Sequence, residues 1–249
     1  MQNDGQVRPV TLITGAARRI GACIARSLHA CGHDLVLHYR NSGEEMRALC
    51  AELEAARAGS TLAVQADLID IDALPGLVEQ AVARYGRLDA LVNNASAFYA
   101  TPLADVTPAQ WDELFSANAR APFFLARAAA PHLRKARGAI VNITDIYAQR
   151  PLPGHAVYCA SKAALAMLTQ SLADALGPEV RVNAVAPGNI LWSTNPVKAE
   201  TEAMVRERTS LARQGSPEDI AKAVLYLIRD GDYVSGTVLP VDGGRLLHI

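Results

Sequence analysis

Short runs of β-branched and aliphatic residues alternate along the chain with longer stretches in which apolar residues return every three or four positions. The short runs lie at 10–14, 35–39, 61–66, 88–93, 139–144, 180–186 and 237–240. They are continuous rather than alternating, which predicts strands covered on both faces. The longer stretches, at 20–30, 43–58, 74–85, 108–133, 157–176 and 217–228, predict helices. Thr107 before Pro108 and Ser216 before Pro217 are helix-start signals, a capping hydroxyl followed by a ring that fixes φ. Strand–helix alternation of this kind predicts an α/β fold, with a doubly wound and mainly parallel sheet of seven strands. One segment, 189–213, interrupts the alternation. Its first part (189–196) is irregular and its second (197–209) is charged and helical in pattern, as expected of a lid over a ligand at the carboxyl ends of the strands.

The 249 residues correspond to between one and two average domains, and the continuous alternation, without linker or repeat, predicts one spanning 1–249. An apolar share of 50% and a charged share of 20% exclude a disordered chain. Net charge is −1, from 24 basic and 25 acidic residues, so no nucleic acid or anionic membrane is expected as a partner. The longest uncharged run, 182–197, contains Pro187 and Pro196 and is too short to span a bilayer, and residues 1–9 lack the apolar centre of a signal peptide. Cys23, Cys31, Cys50 and Cys159 show no metal-ligand spacing. No metal is expected, and a reduced, cytoplasmic location is.

The first strand runs directly into Thr14-Gly15-Ala16-Ala17-Arg18-Arg19-Ile20-Gly21 and then a helix. Gly15 permits a tight turn, Gly21 allows close helix–strand packing, and the helix start offers free amides to a pyrophosphate. The second strand ends Tyr39-Arg40-Asn41-Ser42, with a fixed cation and hydroxyl where an enzyme for NAD would carry a carboxylate, so NADPH is the expected cofactor. Asp67-Leu68 and Asn94-Ala95-Ser96 end the third and fourth strands on the same side; Asp67 suits an adenine amino group or a turn cap equally. Tyr158 and Lys162 are four residues apart and share one helix face, where an ammonium would lower the phenol pKa.

The chain resembles short-chain dehydrogenases/reductases from Leu12 to Gly244, on the Thr14–Gly21 loop, Asn93-Asn94-Ala95, Asn118, Tyr158-xxx-Lys162 and Pro187-Gly188. The resemblance implies a Rossmann fold, a homotetramer, ribose binding by Lys162, and a proton relay in which Asn118 holds a water. Two departures stand out. Arg19 occupies the place of a third glycine, and Asp145 that of a carbonyl-polarising serine. An anion there would oppose a developing alkoxide, whereas a carboxyl kept partly protonated can deliver a proton.

Arg19 and Asp145 together are similar to pteridine reductases, as are Leu37-His38-Tyr39 and the segment Asn94-Ala95-Ser96-Ala97-Phe98-Tyr99. This implies that Phe98 and the nicotinamide sandwich a flat pterin, that Ser96 contacts it, and that Arg19 lies beside pterin and cofactor phosphates. The expected reaction is NADPH-dependent reduction of a dihydropterin, with oxidised pterin and dihydrofolate as further substrates; Tyr158 and Asp145 supply the proton. A carbonyl reductase of the 3-oxoacyl-thioester or small-ketone type is the alternative within enzymes, and a non-catalytic NADPH-binding scaffold the alternative outside them. Tyr147 and Trp192 are candidate crevice residues, His155 reads as a rim residue, and Cys159 as a bystander. The chain end, 245–249, is placed to reach a neighbouring subunit.

Overall fold

The apolar runs pair edge to edge in the computed structural model, which describes residues 8–190 and 199–249. The strands are β1 (Val10–Ile13), β2 (Asp34–Tyr39), β3 (Thr61–Gln65), β4 (Ala90–Asn93), β5 (Ala139–Ile143), β6 (Arg181–Pro187) and β7 (Val238–Val241). They form one sheet in the order β3-β2-β1-β4-β5-β6-β7, and every pairing is parallel. The helices are α1 (Arg19–Ala30), α2 (Gly43–Ala56), α3 (Leu74–Tyr85), α4 (Pro108–Phe115), α5 (Ala121–Ala136), α6 (Ala156–Leu176), α7 (Ala199–Glu207) and α8 (Pro217–Leu225).

Period-two alternation on the central strands supplies both layers of the core. Leu12, Leu91 and Ile140 face one layer with α3 and α5, while their neighbours Ile13, Val92 and Val141 face the other with α1, α2 and α8. The edge strands β3 and β7 are only partly covered, so the expectation of two buried faces holds for the centre of the sheet and not its rims.

The start signals work as expected. Thr107 with Gln110 and Ser216 with Asp219 form reciprocal capping boxes, each followed by proline. The helix expected over 108–133, however, is broken by a π-helical turn at Ser116–Arg120, where the Ala121 amide donates to the Ser116 carbonyl five residues back. Pro122 lacks an amide hydrogen, so the turn before it is one donor short and the helix resumes in a new register. A second π turn, Tyr226–Asp230, ends the helix expected over 217–228. Within the described residues no helix is long and apolar enough to cross a membrane.

Candidate active site

Order in the sheet reverses between β1 and β4, the position at which a doubly wound sheet opens a crevice beyond its strand ends. Thr14 and Asn94 build its floor. The Thr14 hydroxyl accepts from the amides of Asn94 (2.9 Å) and Ala95 (3.0 Å). The Asn94 side chain spends both amide hydrogens on the carbonyls of Thr14 (2.9 Å) and Gly15 (3.0 Å). Asn94 therefore braces the first loop.

Gly15 has φ +61° and its missing Cβ would lie 3.0 Å from the Ala95 Cα, while a Cβ on Gly21 would strike the Gly15 carbonyl and stand 2.7 Å from Asn94 Nδ2. Both glycines are required by the close approach of loop and helix, and the resulting cradle fits a dinucleotide pyrophosphate. Arg19 has φ +54°, which explains why a glycine is the easier residue there. Its side chain is exposed, as is that of Arg40. Arg18 turns instead to Glu45, at 3.4 Å.

At the other end of the crevice β5 delivers Asp145. One carboxylate oxygen accepts from the Tyr147 amide (2.9 Å), capping a short turn, and the other accepts from the Tyr158 hydroxyl at 2.6 Å. Capping and active-site roles thus fall on different oxygens of one side chain. Lys162, 2% exposed, donates to the Ile143 carbonyl at 2.9 Å. Its ammonium stands 5.9 Å from the centre of the Tyr158 ring.

Burial pushes the Asp145 carboxyl above its ordinary range, against the opposing pull of the Tyr158 hydrogen bond and the Lys162 charge. The Tyr158 phenol is also raised, by burial first and by the Asp145 charge second. Desolvation draws Lys162 down to about 8. The expected lowering of the Tyr158 pKa is therefore reversed, by burial first and then by the Asp145 carboxyl that the phenol touches, while the lysine donates to a carbonyl. Both acids are weakened, so the pair favours retaining a proton at neutral pH.

Phe98 stands over this pair, 58% exposed, which excludes a core role. Its ring meets the edge of Tyr158 at 4.7 Å and 82°, and lies against the His155 ring at 4.9 Å and 12°. Asn118 sits in the π turn with its side chain saturated. It accepts from Ser96 Oγ (3.0 Å) and the Ala97 amide (2.9 Å), and donates to the Ala97 carbonyl (3.0 Å) and Ser161 Oγ (3.0 Å). That side chain ties the Ser96–Phe98 segment to α6.

A family model described as enoyl-(acyl carrier protein) reductase matches residues 15–245. The chain belongs to the short-chain dehydrogenase/reductase family. A relative named "Granaticin polyketide synthase putative ketoacyl reductase 2", from Streptomyces violaceoruber, is 40% identical over 99% of this chain and 100% of its own length. Pteridine reductase 1 of Leishmania tarentolae is 35% identical, covering 96% of each chain. The 3-oxoacyl-(acyl-carrier-protein) reductase FabG of Staphylococcus aureus is 35% identical over 95% of this chain and 97% of its own. The protein is a nicotinamide-dependent oxidoreductase of this family.

Within this short-chain dehydrogenase/reductase, one cleft of about 640 Å³ collects all the described residues singled out from the sequence for catalysis, cofactor or substrate except Asn118. Asn118 lies behind the lining, completely buried. Pro187 and Gly188 line the β6 exit; a Cβ on Gly188 would stand 2.6 Å from that of Asp242, so the chain end dictates this glycine. Asp67 spends one oxygen on the Ile69 amide (3.0 Å), the turn-cap option. Tyr147 lines the cleft, whereas His155 does not; Trp192 and the rest of 191–198 lie outside the described residues.

Sequence reasoning missed three contributors. Ile143 offers only its carbonyl, which no side-chain pattern reveals. Ser161, between Tyr158 and Lys162, anchors Asn118; its place one residue before the lysine was the available signal. His38 binds the first loop from beneath, and on a strand it reads as core.

Proposed function

We propose that this protein reduces a pterin, taking a dihydropterin to its tetrahydro form with NADPH. The observation that carries the reading is the 2.6 Å hydrogen bond from Tyr158 to Asp145 beneath the exposed ring of Phe98. Reducing a carbon–nitrogen double bond requires a hydride at carbon and a proton at nitrogen. NADPH supplies the hydride when bound. Tyr158 gives its phenolic proton to the ring nitrogen and recovers one from Asp145, whose burial favours the protonated acid. Phe98, which is exposed and lines the cleft, offers aromatic surface to a planar heterocycle, a contact worth about 0.5–1.5 kcal/mol beyond its buried area.

The residues that would hold the cofactor are the Gly15–Gly21 loop, Arg40 with Ser42, Asp67 with Leu68, and Lys162. Arg40 is exposed in the cleft and has no carboxylate partner among the described residues, which favours a cofactor carrying the extra phosphate.

Carbonyl reduction is the second reading, favoured by the 40% identity to the granaticin relative. Asp145 opposes it, since the carboxyl replaces the neutral hydroxyl that would polarise a carbonyl, and its ionised fraction raises the cost of an alkoxide. Initial rates of NADPH consumption decide between them, measured with dihydrobiopterin, dihydromonapterin, dihydrofolate and a 3-oxoacyl thioester. Pterin turnover should exceed thioester turnover at least tenfold, and Asp145→Ser should narrow that ratio. Pterin rates at background beside brisk thioester reduction would refute the proposal.

A further inference from the structure

β1 and β2 pair as far as Ile13 and Leu37, and the ladder stops there because the chain turns left-handed at Gly15. His38, the next residue on β2 and 2% exposed, continues the connection by other means. Its carbonyl accepts from the Ala16 amide at 2.9 Å, and its ring Nδ1 takes the Gly15 amide at 3.2 Å. On the far side of the ring, Nε2 meets the Ala66 carbonyl at 3.1 Å. An amide can only donate and a carbonyl only accept, so the two contacts together require the neutral tautomer with its hydrogen on Nε2. Burial lowers the His38 pKa and so favours that uncharged form, against the opposing pull of the Ala66 hydrogen bond and then the Asp67 charge.

One side chain therefore spans from the glycine turn of β1 to the end of β3, where Asp67 and Leu68 line the cleft. We propose that His38 is a positioning residue for the nicotinamide cofactor, setting the Gly15–Ala16 amides at a fixed distance from the Asp67–Leu68 edge. The proposal needs only the dinucleotide site of the family and is independent of what substrate is reduced.

Two amide substitutions separate the two ends of the ring. His38→Asn keeps an acceptor at the Nδ1 position, attached to the same carbon, and deletes the donor to Ala66. His38→Gln keeps a donor at the Nε2 position and removes the acceptor from Gly15. NADPH and NADH are each titrated by fluorescence into wild type and both variants without substrate, and thermal midpoints are recorded alongside. Each variant releases one end of the span, so both should bind either cofactor at least about tenfold more weakly than wild type, whatever the order of their thermal midpoints. Affinity within about threefold of wild type in either variant, or losses that simply follow the loss of thermal stability, would overturn the assignment. If wild type prefers NADH, the Arg40 reading fails while the Asn–Gln comparison is still made with NADH.

Discussion

A lysine with no water around it should make the free enzyme less stable than it needs to be, and Lys162 gives the size of that cost. Its pKa falls from 10.5 in an unfolded chain to about 8 in the folded one. At about 1.36 kcal/mol for each tenfold change in proton affinity, that fall opposes folding by about 3 kcal/mol at neutral pH. Lys162→Met removes the charge and keeps a flexible side chain of similar length. It also strands the Ile143 carbonyl, at about 1–2 kcal/mol. The balance predicts a cofactor-free variant about 1–2 kcal/mol more stable than wild type at pH 7, with turnover lost.

The pH dependence has a definite sign. Between pH 8 and 10.5 the native lysine has released its proton while the unfolded chain still carries one, so unfolding takes up a proton and wild type gains stability as pH rises. Below pH 8 both states are protonated and the cost is constant. Cys23, raised to about 11, acts in the opposite direction above pH 9, so the informative curve is wild type minus Lys162→Met. Urea unfolding of both proteins at pH 7, 8, 9 and 9.5 should give a difference flat to pH 8 that then rises by about 2 kcal/mol in favour of wild type. A flat difference across the whole range, or a variant less stable at pH 7, would refute the burial argument.

Tyr158→Phe should cut turnover by about 10²–10⁴-fold, the usual worth of a positioned proton donor, and leave cofactor affinity unchanged; steady-state rates and fluorescence titration check both halves. Arg40→Asp should weaken NADPH at least tenfold more than NADH, since it replaces a phosphate-binding cation by a ribose-binding carboxylate; equal losses would remove the basis for the NADPH assignment. Arg181 donates to the carbonyls of Leu227 (2.5 Å), Ile228 (2.8 Å) and Gly231 (3.0 Å), where the π turn after α8 ends. Arg181→Met should cost about 2–4 kcal/mol in urea unfolding while cofactor affinity holds.

The strands and most helices were legible because burial on two faces leaves a signal in composition at every position of a central strand. The break between α4 and α5 was not, since apolar periodicity runs straight through it. Only Pro122, with no amide to give, marked the place. The cleft residues were legible because each sits at a strand's carboxyl end, where topology alone gathers them. Their hydrogen bonds were not: spacing puts Lys162 beside Tyr158 but says nothing of the Ile143 carbonyl that claims the ammonium. The predicted sign of the Tyr158 shift failed because burial and the Asp145 charge, neither visible in the spacing, act against it. Gly188 was placed by motif, yet its cause is Asp242, more than fifty residues away in the chain.

Overall identity does not separate carbonyl from pterin reduction, because a relative named as a ketoacyl reductase and one named as a pteridine reductase match this chain over nearly the same span. The separation lies in the charge that develops at the reacting heteroatom. A carbonyl oxygen becomes anionic as hydride arrives, and a neutral hydroxyl serves it best. An imine nitrogen becomes basic and needs a proton. Burial first, and then the Asp145 charge 2.6 Å from the phenol, raise the Tyr158 pKa, so with Asp145 ionised the phenol is a weaker stabiliser of an alkoxide. On the proposed reading, the fraction of Asp145 that burial keeps protonated is a second acid from which Tyr158 is reprotonated. The same carboxyl therefore handicaps one reaction and equips the other, and Asp145→Ser should move the two activities in opposite directions.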